Sequence, residues 1–431
     1  MRLFSSIFIP IWIIVRTWWW AVLPFLLWRP FKYLLLFWRN NLFSKKVDNI
    51  LLEIIMPAEV ERPFKAMEQV YAGFWMMYDP PDFYEKWVEG KYQISFSIEI
   101  VSIEGSIHFY IRAPKGVRNL IEASIYSQYP EVEIRETEDY VNNMPKDMPN
   151  QKWDLWGCDY EFLKDDVYPI KTYPRFFEER PAQEERERVD PLAALLEGLA
   201  KTGPGEQICV QFTLKPITVG ENNFKKRAEA VVNKMLKRPD KTIKRQPMIK
   251  EAADVVLFGK LPGEAKEEEE HLIPPEMQLT PGEREIIAGI ENKISKPMFQ
   301  GFLRFIIFGE RDKWNKGNLR NVLGYFANFN TENLNSFKPW APSITKVHKH
   351  EKFFLNIFMH KTLVFFKKRR LLRRYISRLP YNYPKPGKTL LFNLEELATM
   401  FHFVGRSAVP APAIKRVEAK KGEPPANLPG E

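Results

Sequence analysis

Polar and apolar residues alternate strictly over 92–101, where Tyr92, Ile94, Phe96, Ile98 and Ile100 share one face, and again over 105–112, where Ile107, Phe109 and Ile111 do. A period of two marks a half-buried strand, and the turn from Ser102 to Gly105 makes the pair a hairpin. Upstream, the apolar run 50–56 reads as a strand. Pro63 then opens a helix whose Phe64, Met67, Val70, Tyr71, Phe74 and Trp75 recur at helical spacing. Downstream, Val117, Leu120, Ile121 and Ile125 predict a second helix and 132–134 a last strand. The order βαββαβ predicts a ferredoxin-like unit over 49–140, with helices on one face of a four-stranded sheet and water on the other. Carboxylates such as Glu99 and Glu104 are then expected on the solvated face.

The pattern restarts more loosely beyond residue 205. A strand at 207–214, helices at 224–236 and 316–326, and a strand at 302–308 predict a second, degenerate α/β repeat over 206–345, interrupted by a Lys-, Glu- and Pro-rich insertion at about 238–280. Between the repeats, 141–205 reads as an aromatic insert, in which Trp153, Trp156, Tyr160, Phe162, Tyr168 and Tyr173 suggest an added hairpin, followed by a linker helix that Gly203-Pro204-Gly205 ends. The expected fold class is α+β: two ferredoxin-like βαββαβ-type repeats, the second degenerate, behind an N-terminal membrane-associated helix.

That helix is expected from residues 3–28, which carry a single charge, Arg16; about 20 apolar residues suffice to cross a hydrocarbon core. Trp12, Trp18, Trp19, Trp20 and Trp28 suit the headgroup level, and Pro10 and Pro24 interrupt the run, so a spanning and an interfacial helix both stay open. Arg29 and Lys32 begin a basic flank, which makes 1–48 a membrane anchor and places the bulk of the chain on the cytoplasmic side of an inner membrane.

Composition sharpens only part of this picture. The net charge of +10 is unevenly spread, which argues for local contact with anionic lipid or nucleic acid. Segment 346–389 turns from apolar to basic through Lys367, Lys368, Arg369, Arg370, Arg373 and Arg374; docking on an anionic leaflet, binding DNA and a solvated helix face all fit it. The two cysteines, Cys158 and Cys209, form no CxxC pattern, hence no disulfide framework or zinc site is expected.

Candidate chemistry is thin. Pro386-Gly387-Lys388-Thr389 looks like the end of a phosphate-binding loop, but Asn382 stands where the first glycine is needed, and 390–392 reads extended where a helix should follow. His348, His350 and His360 lack the further ligands that would complete a metal site. No catalytic residue, metal or cofactor is expected. Around Gly105 the hairpin also lacks the RNA-recognition strand signature.

The last forty residues are more informative. Asn393 can cap a short helix with Glu395 and Glu396 in its first turn, and Leu394, Leu397, Ala398, Phe401 and His402 fall on one face. Prolines 410, 412, 424, 425 and 429 then favour an extended path. The string N-L-E-E-L-A-T-M-F-H-F, followed by P-A-P-A-I-K-R-V-E-A-K-K-G-E-P-P-A-N-L-P, resembles the segment just before the ATPase domain in type IV secretion coupling proteins, the conjugative DNA-transfer ATPases. Val404 departs from the proline usual there, and the sequence ends at Glu431, where the motor would begin. The resemblance implies a membrane-associated, non-enzymatic scaffold that positions a P-loop ATPase in trans. Leu394, Leu397, Phe401, Pro410, Pro412, Pro424 and Pro425 would then form the docking element of 390–431. A membrane-tethered nucleic-acid-binding protein, a truncated coupling ATPase and self-association remain open.

Overall fold

The structure, a computed structural model, describes residues 2–57, 62–176, 190–236, 279–346, 355–381, 389–404 and 416–417. After a long helix α1 (Arg2–Lys46), the chain forms β1 (Asn49–Pro57), α2 (Phe64–Trp75), the hairpin β2 (Phe96–Ile103) and β3 (Ser106–Pro114), α3 (Arg118–Tyr126) and β4 (Glu133–Thr137). It continues through β5 (Trp153–Phe162), α4 (Ala193–Ala200), β6 (Glu206–Ile217), α5 (Phe224–Met235), α6 (Pro281–Ser295), β7 (Met298–Glu310), α7 (Leu319–Ala327) and β8 (Phe337–Pro339). A helix α8 (Leu355–Ile376), then β9 (Leu390–Asn393), α9 (Leu394–Met400) and a two-residue β10 (Arg416–Val417) complete the described elements.

The expected fold class is corrected on two counts. First, the two repeats do not have separate four-stranded sheets: among the described residues all ten strands belong to one sheet, antiparallel throughout except for β10, which is parallel to β1. Within it β1 to β4 lie in the order β4-β1-β3-β2 and β5 to β8 in the order β8-β5-β7-β6. The same order thus occurs twice, joined by the antiparallel pair β2–β6, which runs from Phe96 opposite Leu214 to Ile103 opposite Gln207. Second, among the described residues no helix is long and apolar enough to cross a membrane, so a membrane helix at the N-terminus is not supported as part of the fold.

A further correction concerns 141–205. The stretch read as an aromatic insert with an added hairpin supplies β5 to the main sheet instead, where it pairs with β7 from Trp153 opposite Glu310 to Asp159 opposite Arg304 and with β8 on its other side. It is a strand buried on both faces, which blurs the two-residue period that would have marked it.

Both faces of the sheet are covered. On the first, Ile98 and Ile100 of β2, Val210 and Phe212 of β6, and Leu303 and Phe305 of β7 join one large core with α2, α3, α4, α7 and α9. On the second, Val101, Cys209, Ile306 and Phe308 pack under Leu371, Leu372 and Tyr375 of α8. Antiparallel strands alternate faces, so a sheet covered twice must bury whatever stands at its alternate positions, charges included.

Candidate functional site

The C-terminal junction gathers one cluster of buried polar side chains, among them Glu68, Lys293, Asn393, Glu395, Glu396 and His402. β9 lies along β7, with Asn393 opposite Met298 and Leu390 opposite Gly301, on the edge of β7 that β5 occupies further along. Asn393 ends the strand and caps α9 in a reciprocal box: Glu396 N donates to Asn393 Oδ1 at 2.8 Å, and Asn393 N donates to Glu396 Oε2 at 3.0 Å. Every residue from 394 to 404 is buried. Helix α9 therefore has no solvent face, and its carboxylates need internal partners.

They have them. Glu396 Oε1 lies 3.1 Å from Lys293 Nζ of α6 and accepts from Ile170 N at 3.0 Å. Burial pushes the Glu396 carboxyl above its ordinary value, and Lys293 with the two backbone N–H groups offsets this only in part. Glu395 is also pushed up by burial, but Lys296 Nζ at 2.6 Å and Asn292 Nδ2 at 2.8 Å hold it below the usual range. Lys296 reaches on to Glu68 of α2 at 3.0 Å, and Tyr173 Oη donates to the same carboxylate at 2.8 Å. His402 places Nδ1 3.1 Å from Ala398 O and Nε2 3.0 Å from Asp190.

A second cluster lies on the other face of the sheet, at the seam between the two halves. Glu99 of β2 is fully buried. Arg378, just past α8, forks onto it with Nε to Oε1 at 3.0 Å and Nη2 to Oε2 at 3.2 Å, and forks again onto Asp139. Ser97, Gln211 and Tyr140 also donate to Glu99, and Tyr140 contacts Tyr375 of α8 through their hydroxyls. Burial acts to raise Glu99, yet the charge and hydrogen bonds of Arg378 win and hold it below the usual carboxylate range. Arg378 is correspondingly raised against the lowering effect of burial. Next along the same face, Arg304 of β7 makes a two-pronged contact with Asp159 of β5, at 2.6 and 2.9 Å. The expectation that Glu99 faces water is thus overturned. Its alternation was read correctly, but the helix that covers it comes some 270 residues later and cannot be inferred from local period.

These arrangements tie groups together; they do not converge on a space. A cleft of about 370 Å³ is lined by Leu36, Asn40, Lys86, Lys91 and Lys215 among others, and its lining holds a single carboxylate and no Cys, His, Ser or Thr. Among the described residues no cluster of three or more His, Cys, Asp or Glu could hold a metal. Both cysteines are free and buried, and burial pushes the Cys209 thiol to about 12, far from a reactive thiolate.

The sequence-based site residues fall out as follows. Of the anchor set, Trp20 and Trp28 are exposed on α1 with Arg29 beside them, and Lys32 lies over the Trp28 ring at 4.6 Å; the side chains of Trp12, Trp18 and Trp19 lie outside the described residues. The basic set lies on α8, whose apolar face packs on β5 and β7. Lys368 there is bound to Asp154 at 2.6 Å, Lys367 to Ile344 O, and Arg370 to Tyr381 O and over its ring, while Arg369 lies over Phe365; Arg373 is exposed and Arg374 half-buried. It is accordingly not an open basic patch. Of the docking set, Leu394, Leu397 and Phe401 are buried in the chain's own core, with Tyr71 Oη donating to Phe401 O. The expectation of a free apolar face on α9 is corrected: α2 packs against it, within the core that it shares with α7. Pro410, Pro412, Pro424 and Pro425 lie outside the described residues, as do His348, His350 and Lys388; Leu390–Asn393, just after Lys388, is a strand.

No family model and no curated protein matches the chain.

Proposed function

We propose that the chain is a non-enzymatic scaffold, an assembly component of a type IV secretion-like or DNA-translocation system, that positions a P-loop motor ATPase supplied by another chain. One observation carries the reading: the junction 390–404 is built into the sheet and clamped by Glu395, Glu396 and His402. The segment after Val404 therefore starts from a fixed point, and Arg416–Val417 is held again in the sheet as β10 beside β1. A fixed exit suits a positioning role, because ordering one end of a docking segment in advance removes part of the entropy cost of binding. The resemblance of 393–429 to the pre-ATPase segment of coupling proteins names the class of partner. With α9 buried, the docking role passes to residues beyond 404. The clusters themselves support a structural task, since each carboxylate in them is matched by a cation or donor from a neighbouring element.

Co-purification tests this. Intact protein under mild crosslinking should retain a P-loop ATPase, and deletion of 418–431, which spares β10, should abolish the retention with little change in melting temperature. An intact chain that never retains such a partner overturns the proposal. Saturable ATP binding by the purified chain, lost in Lys388→Ala, overturns its non-enzymatic part. The nucleic-acid reading of α8 has less support, because Lys368 and Arg370 are engaged within the chain. Salt-dependent DNA binding that Arg373→Glu abolishes would favour it.

A further inference from the structure

Helix α1 and the platform 76–92, which joins α2 to β2, make one surface with a basic and an acidic half. The platform carries four carboxylates, Asp79, Asp82, Glu85 and Glu89, against Lys86 and Lys91. Lys91 Nζ is tied inward, 3.0 Å from Asp79 and 2.9 Å from Glu85, while Asp82 and Glu89 are exposed. The helix is the opposite: residues 2–46 contain no carboxylate and include Arg29, Lys32, Arg39, Lys45 and Lys46. The two elements are locked side by side. Gly90 has φ +77°, and a Cβ there would stand 2.4 Å from the Arg39 carbonyl, an approach that only glycine allows.

One run of rings crosses both halves. Phe83 lies 6.2 Å from Trp87, Lys32 Nζ lies 5.9 Å from the Trp87 ring and 4.6 Å from the Trp28 ring, and Trp28 stacks on Phe31 at 6.3 Å. Much of this run stands in water: Phe83 is 80% exposed and Tyr84 62%, and Val88 and Leu34 are exposed too. Contiguous exposure of this kind marks an interaction surface. Trp28, Phe31, Trp38, Phe83 and Tyr84 are each more than half exposed. A buried ring contributes about 150–250 Å², so the exposed parts of two such sets supply on the order of 1,000 Å², the size that a specific contact needs.

We propose that this surface is a homodimer contact: α1 of one copy, around Arg29, lies on the platform of a second copy, around Asp82 and Glu89, and the second copy's helix lies on the first one's platform. A patch whose two halves carry opposite charge side by side matches itself under a two-fold rotation, because an axis at their boundary brings each half onto its complement. Helix on helix would instead oppose two segments that lack a carboxylate. Polyanions fit less well. An anionic bilayer or a nucleic acid would meet the exposed Asp82 and Glu89 beside the rings it has to reach. The proposal does not rest on the scaffold reading, and either can fail without the other.

The test is sedimentation equilibrium of the full chain over a range of concentrations, at low and at high salt. The wild type should dimerise at micromolar concentration, more weakly at high salt. Asp82→Asn/Glu89→Lys reverses the charge of the platform and keeps an acceptor for Glu85 N, which Asp82 Oδ1 now receives at 2.7 Å. Arg29→Glu places a negative charge on the helix. Each variant alone should raise the dissociation constant at least about tenfold at unchanged melting temperature. An equimolar mixture of the two should associate more tightly than either alone, since each altered half then meets its opposite. Phe83→Ser/Tyr84→Ser should sediment as a monomer where the wild type is a dimer. A wild type that stays monomeric overturns the proposal, whether or not it floats with anionic vesicles. So does a dimer that both charge variants keep at full strength, or a mixture that associates no better than its parts.

Discussion

The two faces of the sheet each bury an ionic cluster, and the fully buried carboxylates of the two, Glu99 on one face and Glu396 on the other, are held in opposite ways. On the α8 face, Glu99 receives both prongs of one side of the Arg378 guanidinium while Asp139 receives the other, and Glu99 stays below the usual carboxylate range. On the α9 face, Glu396 has a single contact from the Lys293 ammonium, and its pKa is raised. Both carboxylates are fully buried, so desolvation alone does not separate them. The donors do: Glu99 receives the planar fork of Arg378 together with Ser97, Gln211 and Tyr140, whereas the Lys293 ammonium acts on Glu396 as a point charge beside two backbone N–H groups. Where the chain must join its two halves through β2 and β6, it uses the cation that keeps its partner charged.

The largest expected effect breaks the first cluster. Arg378→Met leaves Glu99 buried without its counter-ion and should cost about 3 to 5 kcal/mol in urea denaturation. Arg378→Lys should recover less than half of that, since one ammonium cannot serve both Glu99 and Asp139. A loss below about 1 kcal/mol for the methionine variant would mean that the cluster does not hold α8 to the sheet.

The second cluster should be more forgiving. Lys293→Met removes the cation beside a carboxyl that burial already biases toward its neutral form, so Glu396 can take up a proton in place of facing a missing charge. The expected cost is about 1 to 2 kcal/mol near pH 5, where that proton is at hand. Since the clusters share no partner and lie on opposite faces, the double variant Arg378→Met/Lys293→Met should lose the sum of the two within about 0.5 kcal/mol. Strong coupling would show that the faces communicate through β2, β6 and β7.

What the sequence made legible follows the same division. The helix 64–75, the hairpin 96–114 and the Asn393 cap of α9 could be read locally, because each depends on a period or a cap written within a dozen residues. The first face was therefore in view. The second was not: Glu99 and Gln211 occupy the polar phase of their strands, a phase that ordinarily faces water, and Arg304 stands alone between Phe302 and Ile306 on its face of β7. Only α8, whose basic residues suggested a surface, turns that face into a core. β5 escaped for a related reason, since Trp153, Trp156, Tyr160 and Phe162 interrupt any simple alternation in a strand buried on both sides. The apolar face of α9 was legible as apolar; that α2 of this same chain covers it was not. Nor did the local pattern mark Phe83 and Tyr84, because exposure of a ring is decided by what fails to pack on it.

The smallest expected effect sharpens the comparison most, because it depends on sign. A carboxyl whose folded pKa lies below its unfolded value gives stability that is present above the unfolded value and lost as pH falls through the folded one. Glu99 is of this kind, so the deficit of Glu99→Gln relative to wild type should shrink on acidification. A carboxyl raised on folding behaves in reverse: its contribution is present below the unfolded value and lost as pH rises through the folded one. Glu396 is of this kind, so the deficit of Glu396→Gln should shrink as pH rises from the acid side. Each pKa unit of difference corresponds to about 1.4 kcal/mol, and denaturation profiles between about pH 3 and pH 7, spanning the carboxylate range, can resolve such slopes. Set beside wild type, the stability of Glu99→Gln should therefore climb less steeply with pH and that of Glu396→Gln more steeply. If both variants tilt the profile the same way, the two cations do not differ in how they hold a buried carboxylate, and the contrast between the faces reduces to one of packing.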